Sequence, residues 1–353
     1  MNAIRNSTQL GSVRRRPVSL QPGSMVEYAS LPGVDNSPLI IEARAEGLRL
    51  SAWAAGRREE LEELAARHGA VLLRGFAVEG VSDFAECVDK MCGGALEYRF
   101  RASPRSEVGH HIYTSTDYPA DQFIFPHNEH SFSPVCPRYL VLWCETAART
   151  GGETPIGDNR EITRRINAAV KERFLRRGIL YVRNYGVGFG LPWPTVFQTH
   201  DRAEVERYCD SVSIECQWRK NDQLRTRQVG PAMIRHPRTG EHIWFNHATF
   251  FHVTTLPTEF SKALLAEFEE ADLPTQTYYG DGTSIEPEAL EHLRGIYRAS
   301  LCSFSWQAND VVLVDNILAV HGRNPYSGFR RVCLAMAQTF KPNEWAVLCG
   351  ETP

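Results

Sequence analysis

The stretch Phe123-Ile-Phe-Pro-His-Asn-Glu129 decides how this chain is read. As a strand, it alternates: Phe123, Phe125, His127 and Glu129 share one face, while Ile124, Pro126, Asn128 and His130 share the other. His127 and Glu129 then point the same way, about 7 Å apart along the backbone. A metal ion with ligand distances of roughly 2.0–2.2 Å bridges that gap. As a helix, the stretch would instead pair His127 with His130. The entry through Phe-Ile-Phe-Pro favours the extended form, because proline holds the preceding residue out of the helical region.

Composition narrows the class. The chain has 353 residues, 42% hydrophobic and 23% charged, with a formal net charge of −3. That is enough for one large domain or two small ones with a substantial core. The charge provides no global field for nucleic acid or an anionic membrane, so neither is expected as a partner. Nine cysteines are scattered without a C-x-x-C pair, as expected of reduced thiols in a cytoplasmic protein. No apolar run approaches the ~18–20 residues that cross a bilayer. Residues 1–25 are basic but lack an apolar segment, and are expected to form a flexible arm. Residues 26–353 are expected to form one domain, since no linker, low-complexity block or repeat divides them.

The grammar changes along the chain. Arg57–His68 carries charges at i, i+4 with Leu61, Leu64 and Ala65 on one side, which predicts a helix. Ala70–Phe76 follows as a short buried strand, and Val81–Met91 as a second helix. Beyond Leu96, short apolar runs are punctuated by Pro, Gly and Asn-Asp, as in PRYLVLWCETA, ILYVRNYGVGFG and HIWFNHATFFHV. Helical patterns return at Glu161–Arg177, Asp201–Asp210, Pro257–Ala271 and Pro287–Ser300. The expected class is β-rich α+β: a sandwich or barrel with inserted and flanking helices.

A facial metal site needs a third ligand and open positions. The best candidate lies in DVVLVDNILAVHGRNPYSGFRRVCLAMA, where His321 ends a strongly apolar segment. A histidine there is more often a satisfied core residue. Here, however, Arg330 and Arg331 follow and run into a buried strand, where one of them needs an anion. Arg331 shares its face with Cys333 and Ala335, small residues that leave room for an anionic ligand. Arg330 shares its face with Val332, Leu334 and Met336, which read as packing.

In this order, His127-x-Glu129, GGETP at Gly151–Pro155, His321 and Arg331 resemble the iron(II)/2-oxoglutarate-dependent dioxygenases of the taurine dioxygenase and clavaminate synthase (TauD/TfdA) type. The resemblance runs from about Val71 to Phe340. Longer strings, among them RTRQVGPAMIRHPRTGEHIWFNHATFFH and YYGDGTSIEPEAL, are similar to a narrower branch of SyrP-like hydroxylases. That branch modifies amino acids in natural-product pathways such as nonribosomal peptide biosynthesis, often on a carrier protein.

The resemblance implies a double-stranded β-helix, or jelly roll. It implies Fe(II) on His127, Glu129 and His321, with O2 and the co-substrate 2-oxoglutarate, whose distal carboxylate falls to Thr154 and Arg331. The reaction it implies is hydroxylation of an unactivated C–H on an amino acid or a carrier-tethered aminoacyl group. Desaturation or cyclisation would begin with the same hydrogen abstraction. Related halogenases lack the carboxylate that Glu129 supplies, so halogenation is disfavoured. Taurine-type members carry another arginine four residues beyond the oxoglutarate arginine. Ala335 stands there, which argues against a sulfonate. Candidate substrate contacts are Ser115, Thr116, Asn128, Asn246, His247 and His252. A non-catalytic 2-oxoglutarate-binding protein and a zinc hydrolase are the competing classes. The hydrolase would leave Arg331 and Thr154 without a purpose.

Overall fold

In the computed structural model, the described residues are 25–31, 38–97, 100, 105–115, 118–186 and 190–350. The expected arm lies outside them apart from Met25. The largest sheet has eight strands, ordered Val26–Ser30, Leu39–Ala43, Ala70–Arg74, Val311–Asp315, Cys136–Thr146, Arg331–Phe340, Ile112–Thr114 and Glu107–Gly109. Its central pairs are antiparallel. Leu39–Ala43 and Ala70–Arg74 run parallel, joined by the predicted helix at Arg58–His68 and a shorter one at Leu50–Ala54.

Both faces of this sheet are buried, and alternation assigns each residue to one of them. Tyr139, Val141, Trp143, Cys333, Ala335 and Ala337 pack against the helices Arg58–His68 and Val81–Cys92. Leu140, Leu142, Cys144, Val332, Leu334 and Met336 form a separate core on the opposite face, joined there by Ile156, Ala319 and Trp306.

Ile156 and Ala319 belong to a four-stranded sheet, ordered Leu301–Cys302, Ile156–Asp158, Ala319–Arg323 and Ile124–His127. A third sheet, Glu215–Trp218, Leu224–Gly230, Ile179–Tyr185 and Thr275–Tyr279, closes the remaining side through an aromatic core.

The predicted elements are largely present, with informative breaks. Glu161–Arg177 is two helices, Asn159–Arg165 and Ala168–Arg177. Asp158 and Asn167 cap them by accepting from Arg160 N and Ala169 N. The long apolar run before His321 is two strands, Val311–Asp315 and Ala319–Arg323. Between them, the Asp315 carboxylate accepts from Ile317 N and Leu318 N. The side chain therefore supplies the bonds of a turn, which apolar periodicity cannot signal.

Candidate active site

The strand containing FIFPHNE is extended as predicted but ends at His127. It pairs antiparallel with Ala319–Arg323 so that His127 and His321 are direct cross-strand partners. The approach is close: a Cβ on Gly322 would meet Ile124 O at 2.6 Å, so glycine after His321 allows the two strands to pair. The imidazoles end side by side, with centroids 4.7 Å apart.

Past His127 the chain turns, and Asn316 holds it there. The Asn316 side chain accepts from Glu129 N at 2.7 Å and donates to Glu129 O at 2.9 Å and Pro137 O at 2.8 Å. This amide therefore fixes the backbone of Glu129 from both sides. Glu129 Oε2 lies 3.9 Å from His127 Nε2 and 3.7 Å from His321 Nε2. One ligand atom from each residue falls within 4.8 Å of the others.

The donor chemistry fits a divalent metal. His127 Nδ1 meets Phe125 O at 2.9 Å. A carbonyl only accepts, so the proton sits on Nδ1 and the Nε2 lone pair faces Glu129. Burial keeps both histidines neutral. It lowers the pKa of His127, and it lowers that of His321 to about 3, helped by the neighbouring His127. For Glu129, burial alone would raise the carboxyl. Arg105, then His130, His127 and His321, outweigh burial and hold it well below the ordinary carboxylate range. The site thus presents two neutral imidazoles and a carboxylate, with the rest of a metal's coordination sphere facing a cavity.

That cavity is about 540 Å³ and is lined by residues of all three sheets. Thr154 and Arg330 line its wall. The Thr154 hydroxyl accepts from Trp306 Nε1 at 3.1 Å, which leaves its own proton to donate. Arg330 donates to Gly152 O at 3.0 Å and reaches Ser115 Oγ at 3.4 Å. Burial, then the nearby Arg323, lowers its pKa to about 10, so it is still a cation at neutral pH. Gly152, with φ +74°, would place a Cβ 3.0 Å from the Arg330 side chain. The paired glycines of GGETP are therefore a seat for this arginine as well as a turn.

Arg331 departs from the expectation. It shares a face with Cys333 as predicted, but that face packs on the helices and not on the cavity. Its guanidinium forms an ion pair with Glu145 at 2.6 Å and remains about a third exposed. Arg330, with Val332 and Leu334, faces the cavity. Val332, Leu334 and Met336 pack as expected, and the first two also form the cavity floor; the position four beyond Arg330 is Leu334, again not an arginine.

The remaining sequence candidates divide. Ser115 lines the cavity and contacts Arg330. Thr116 lies outside the described residues. Asn128 points away from the cavity: its amide donates to Asn316 O and Ala319 O and accepts from Asn159. Asn246 is spent on Ala232 O and Ala248 N. His252 caps the turn Val253–Thr255 and does not line the cavity. In all three, a polar side chain satisfies nearby backbone instead of a ligand. His247 does line the cavity, its Nδ1 hydrogen-bonded to Ser131.

Strand alternation also sends His130 away from the metal face. Because the strand has already ended and His130 sits at φ +58°, its ring returns to the cavity, with Nε2 3.8 Å from Glu129 Oε1. Two buried arginines, Arg105 and Arg183, also line the cavity and are missed by the sequence reading. Arg183 had a signal, a charge in the middle of a strand whose seven residues are all buried. Arg105 had none.

The family model described as taurine catabolism dioxygenase TauD, TfdA family matches residues 32–336. The chain belongs to this family of iron(II)/2-oxoglutarate-dependent dioxygenases. It is 37% identical over 283 residues to the dapdiamide synthesis protein DdaC of Enterobacter agglomerans, covering 80% of this chain and 86% of that protein. It is 27% identical over 293 residues to a clavaminate synthase-like protein of Arabidopsis thaliana, covering 80% and 85%. Among solved structures, PvcB of Pseudomonas aeruginosa superimposes with a TM-score of 0.53 at 17% identity, covering 94% of this chain and 95% of that one. An asparagine oxygenase bound to Fe(II), 3-hydroxyasparagine and succinate gives 0.51 at 14% identity, covering 82% and 81%. These two likenesses concern the fold. No helix among the described residues is long and apolar enough to cross a membrane.

Proposed function

We propose that this dioxygenase hydroxylates an unactivated C–H of an amino-acid-like small molecule in a biosynthetic pathway. His127, Glu129 and His321 would hold iron(II), and Arg330 with Thr154 would hold the distal carboxylate of 2-oxoglutarate. The two facing sheets are read as the double-stranded β-helix of the family. One observation carries the reading: a two-histidine, one-carboxylate face opens into the same cavity as a partly buried arginine and a hydroxyl whose proton is available. Relationship to DdaC, whose name assigns it to dapdiamide synthesis, supports the biosynthetic, amino-acid-like substrate.

Bound iron(II), with 2-oxoglutarate and O2, supplies the oxidation of the C–H bond. The protein's part is placement. Arg330 offers a planar, permanently charged fork to a carboxylate. Trp306 orients the Thr154 hydroxyl from behind. Asn316 fixes the Glu129 backbone, and Phe125 O fixes the His127 tautomer. Phe250, 4.2 Å from the His127 ring, shields the metal face with apolar surface.

The test is iron-dependent succinate release from 2-oxoglutarate, stimulated by members of an amino-acid and acyl-amino-acid panel, with products read by mass. Gain of one oxygen supports hydroxylation. Loss of two hydrogens would replace it with desaturation or cyclisation. Binding of 2-oxoglutarate without its consumption across the whole panel would refute the enzymatic reading.

A further inference from the structure

The strands Met233–Arg235 and His242–Trp244 form a hairpin that is a small sheet of its own. His236, in its turn, does not line the cavity. It is fully buried, and so is the carboxylate it meets, Asp315. Each ring nitrogen has a defined task. Nδ1 accepts from Arg238 N at 3.3 Å and from Thr239 N at 3.0 Å. Two N–H donors leave no room for a proton on Nδ1, so the proton sits on Nε2. Nε2 then donates to Asp315 Oδ2 at 3.1 Å. The backbone of the hairpin thus fixes the tautomer, and the tautomer gives Asp315 a donor.

Asp315 divides its oxygens between two elements. Oδ2 takes the His236 proton, while Oδ1 accepts from Ile317 N at 3.0 Å and Leu318 N at 3.3 Å. The turn closed in this way, Asp315 to Leu318, governs two of the three metal-ligand positions. Its second residue, Asn316, holds Glu129 N and Glu129 O. Asn316 O and Ala319 O also accept from Asn128 Nδ2, at 2.6 and 3.1 Å, one residue before Glu129. From Ala319 the chain runs directly into the strand that carries His321. A shift of this turn would move Glu129 and His321 together against His127.

We infer that His236 is a positioning residue for the metal: it acts through the Asp315 carboxylate on the turn that sets Glu129 and His321 relative to His127. This rests on the metal-site reading and adds to it a residue from a hairpin that supplies no ligand. The physical reason is the burial of the carboxylate, which is costly unless its oxygens are met by donors. Without the Nε2 proton, Oδ2 loses its partner. The carboxylate then gains by rotating or by admitting water, and either move draws Oδ1 off Ile317 N and Leu318 N. The backbone of Asn316, between them in the turn, follows.

The test is metal affinity of the full chain, read without turnover. The protein is titrated anaerobically with Co(II), whose visible absorption reports both occupancy and coordination geometry. His236→Leu removes the donor. Asp315→Asn keeps an oxygen for Ile317 N and Leu318 N but sets an NH2 group against the Nε2 proton, so the turn stays and the link is lost. Both are expected to raise the Co(II) Kd about tenfold, the lower end of the roughly 10–100-fold cost of losing a group that orients a metal ligand, and to change the shape of the absorption. The double variant should bind no more weakly than the worse single one, because the two residues act as a unit. His236→Gln, whose amide donates from near the place of Nε2, should recover most of the affinity.

Phe84→Leu is the control for stability, since Phe84 lies in the core on the helix side of the large sheet. It should lower the Tm and leave the Co(II) Kd where it was. Unchanged affinity in both His236→Leu and Asp315→Asn, equal weakening in Phe84→Leu, or no recovery in His236→Gln overturns the inference. If His236→Leu does not fold, Asp315→Asn, which retains the hydrogen bonds of the turn, decides it. Glu129→Ala should abolish the titration. Full affinity in Glu129→Ala would overturn the metal-site reading itself, whereas loss there with none in the His236 and Asp315 variants would overturn this inference alone.

Discussion

Replacing Arg330 and Arg331 in turn separates two adjacent arginines that the sequence reading placed the wrong way round. Arg330 is largely buried, seated on Gly152 O and lining the cavity. Removing one partner of a buried, hydrogen-bonded charge pair costs about 2–5 kcal/mol. Taking ~3 kcal/mol, the KM for 2-oxoglutarate in Arg330→Ala should rise on the order of 100-fold, at 1.4 kcal/mol per tenfold. Arg330→Lys keeps the charge but loses the fork and the reach to Gly152 O, so a rise of roughly tenfold is expected. Arg331 meets Glu145 with both side chains about a third exposed. Such a pair contributes about 0–1 kcal/mol, and its loss falls on stability. Arg331→Ala should therefore change the KM less than about threefold and lower the Tm by no more than ~2 °C. The assay is succinate release against 2-oxoglutarate concentration at fixed iron, with melting curves as a control. Calorimetry of 2-oxoglutarate with Mn(II) should give the same order. A larger KM effect in Arg331→Ala than in Arg330→Ala would refute the argument from strand faces.

Two further outcomes follow from the buried polar groups. Asn316→Ala leaves Glu129 N, Glu129 O and Pro137 O without their side-chain partner, at about 1–3 kcal/mol for each buried group left unmet. A Tm drop of several degrees and weaker iron binding are expected. Asn316→Asp should be no better, because an acceptor would then face two carbonyls; a neutral result in either variant would refute the positioning role. The pH dependence of the metal-free protein follows from His130 and His321, which burial holds at pKa values of about 4 and about 3 against 6.5 when unfolded. Between pH 6.5 and 4 the unfolded chain binds protons that the folded one refuses, so stability rises with pH in that window and falls on acidification. Each histidine contributes a loss of about 1 kcal/mol by pH 5.5, measured as a falling denaturant midpoint; a flat midpoint from pH 7.5 to 5.5 would contradict it.

The legible part of the site was the part written in alternation. FIFPHNE brought His127 and Glu129 forward together, and the apolar run pointed to His321, which lies mid-strand and clusters with them. Alternation also separated Arg330 from Arg331 correctly. What it could not supply was the side of the sheet on which each face lies, because both faces are buried. Small residues at Cys333 and Ala335 suggested room for a ligand, yet they are small because the helices Arg58–His68 and Val81–Cys92 pack onto them. Bulky Val332 and Leu334 suggested core, and they are core whose outer edge is also the cavity floor. Residue size reports how closely a neighbouring layer approaches, and it says nothing of whether that layer is protein or ligand. His130 escaped for a different reason: one residue in the left-handed region cancels the period-two rule that was used to exclude it.

The residues that break the core pattern are, one by one, the residues that build the site. Arg183 interrupts a wholly buried strand, Arg330 immediately precedes another, and Asn316 divides an apolar run that periodicity would carry through unbroken. Each would be destabilising in isolation, and each is compensated locally: aromatic faces around Arg183, Gly152 O beneath Arg330, backbone groups of Glu129 and Pro137 around Asn316. These compensations serve different ends. Those around Asn316 are complete within the protein, which marks it as scaffold. Those around Arg330 leave a partly buried cation in the same cavity as the available Thr154 proton, and a dicarboxylate ligand would complete them. In this chain the charged and amide residues that violate the core pattern mark the site as clearly as the closely spaced histidines do.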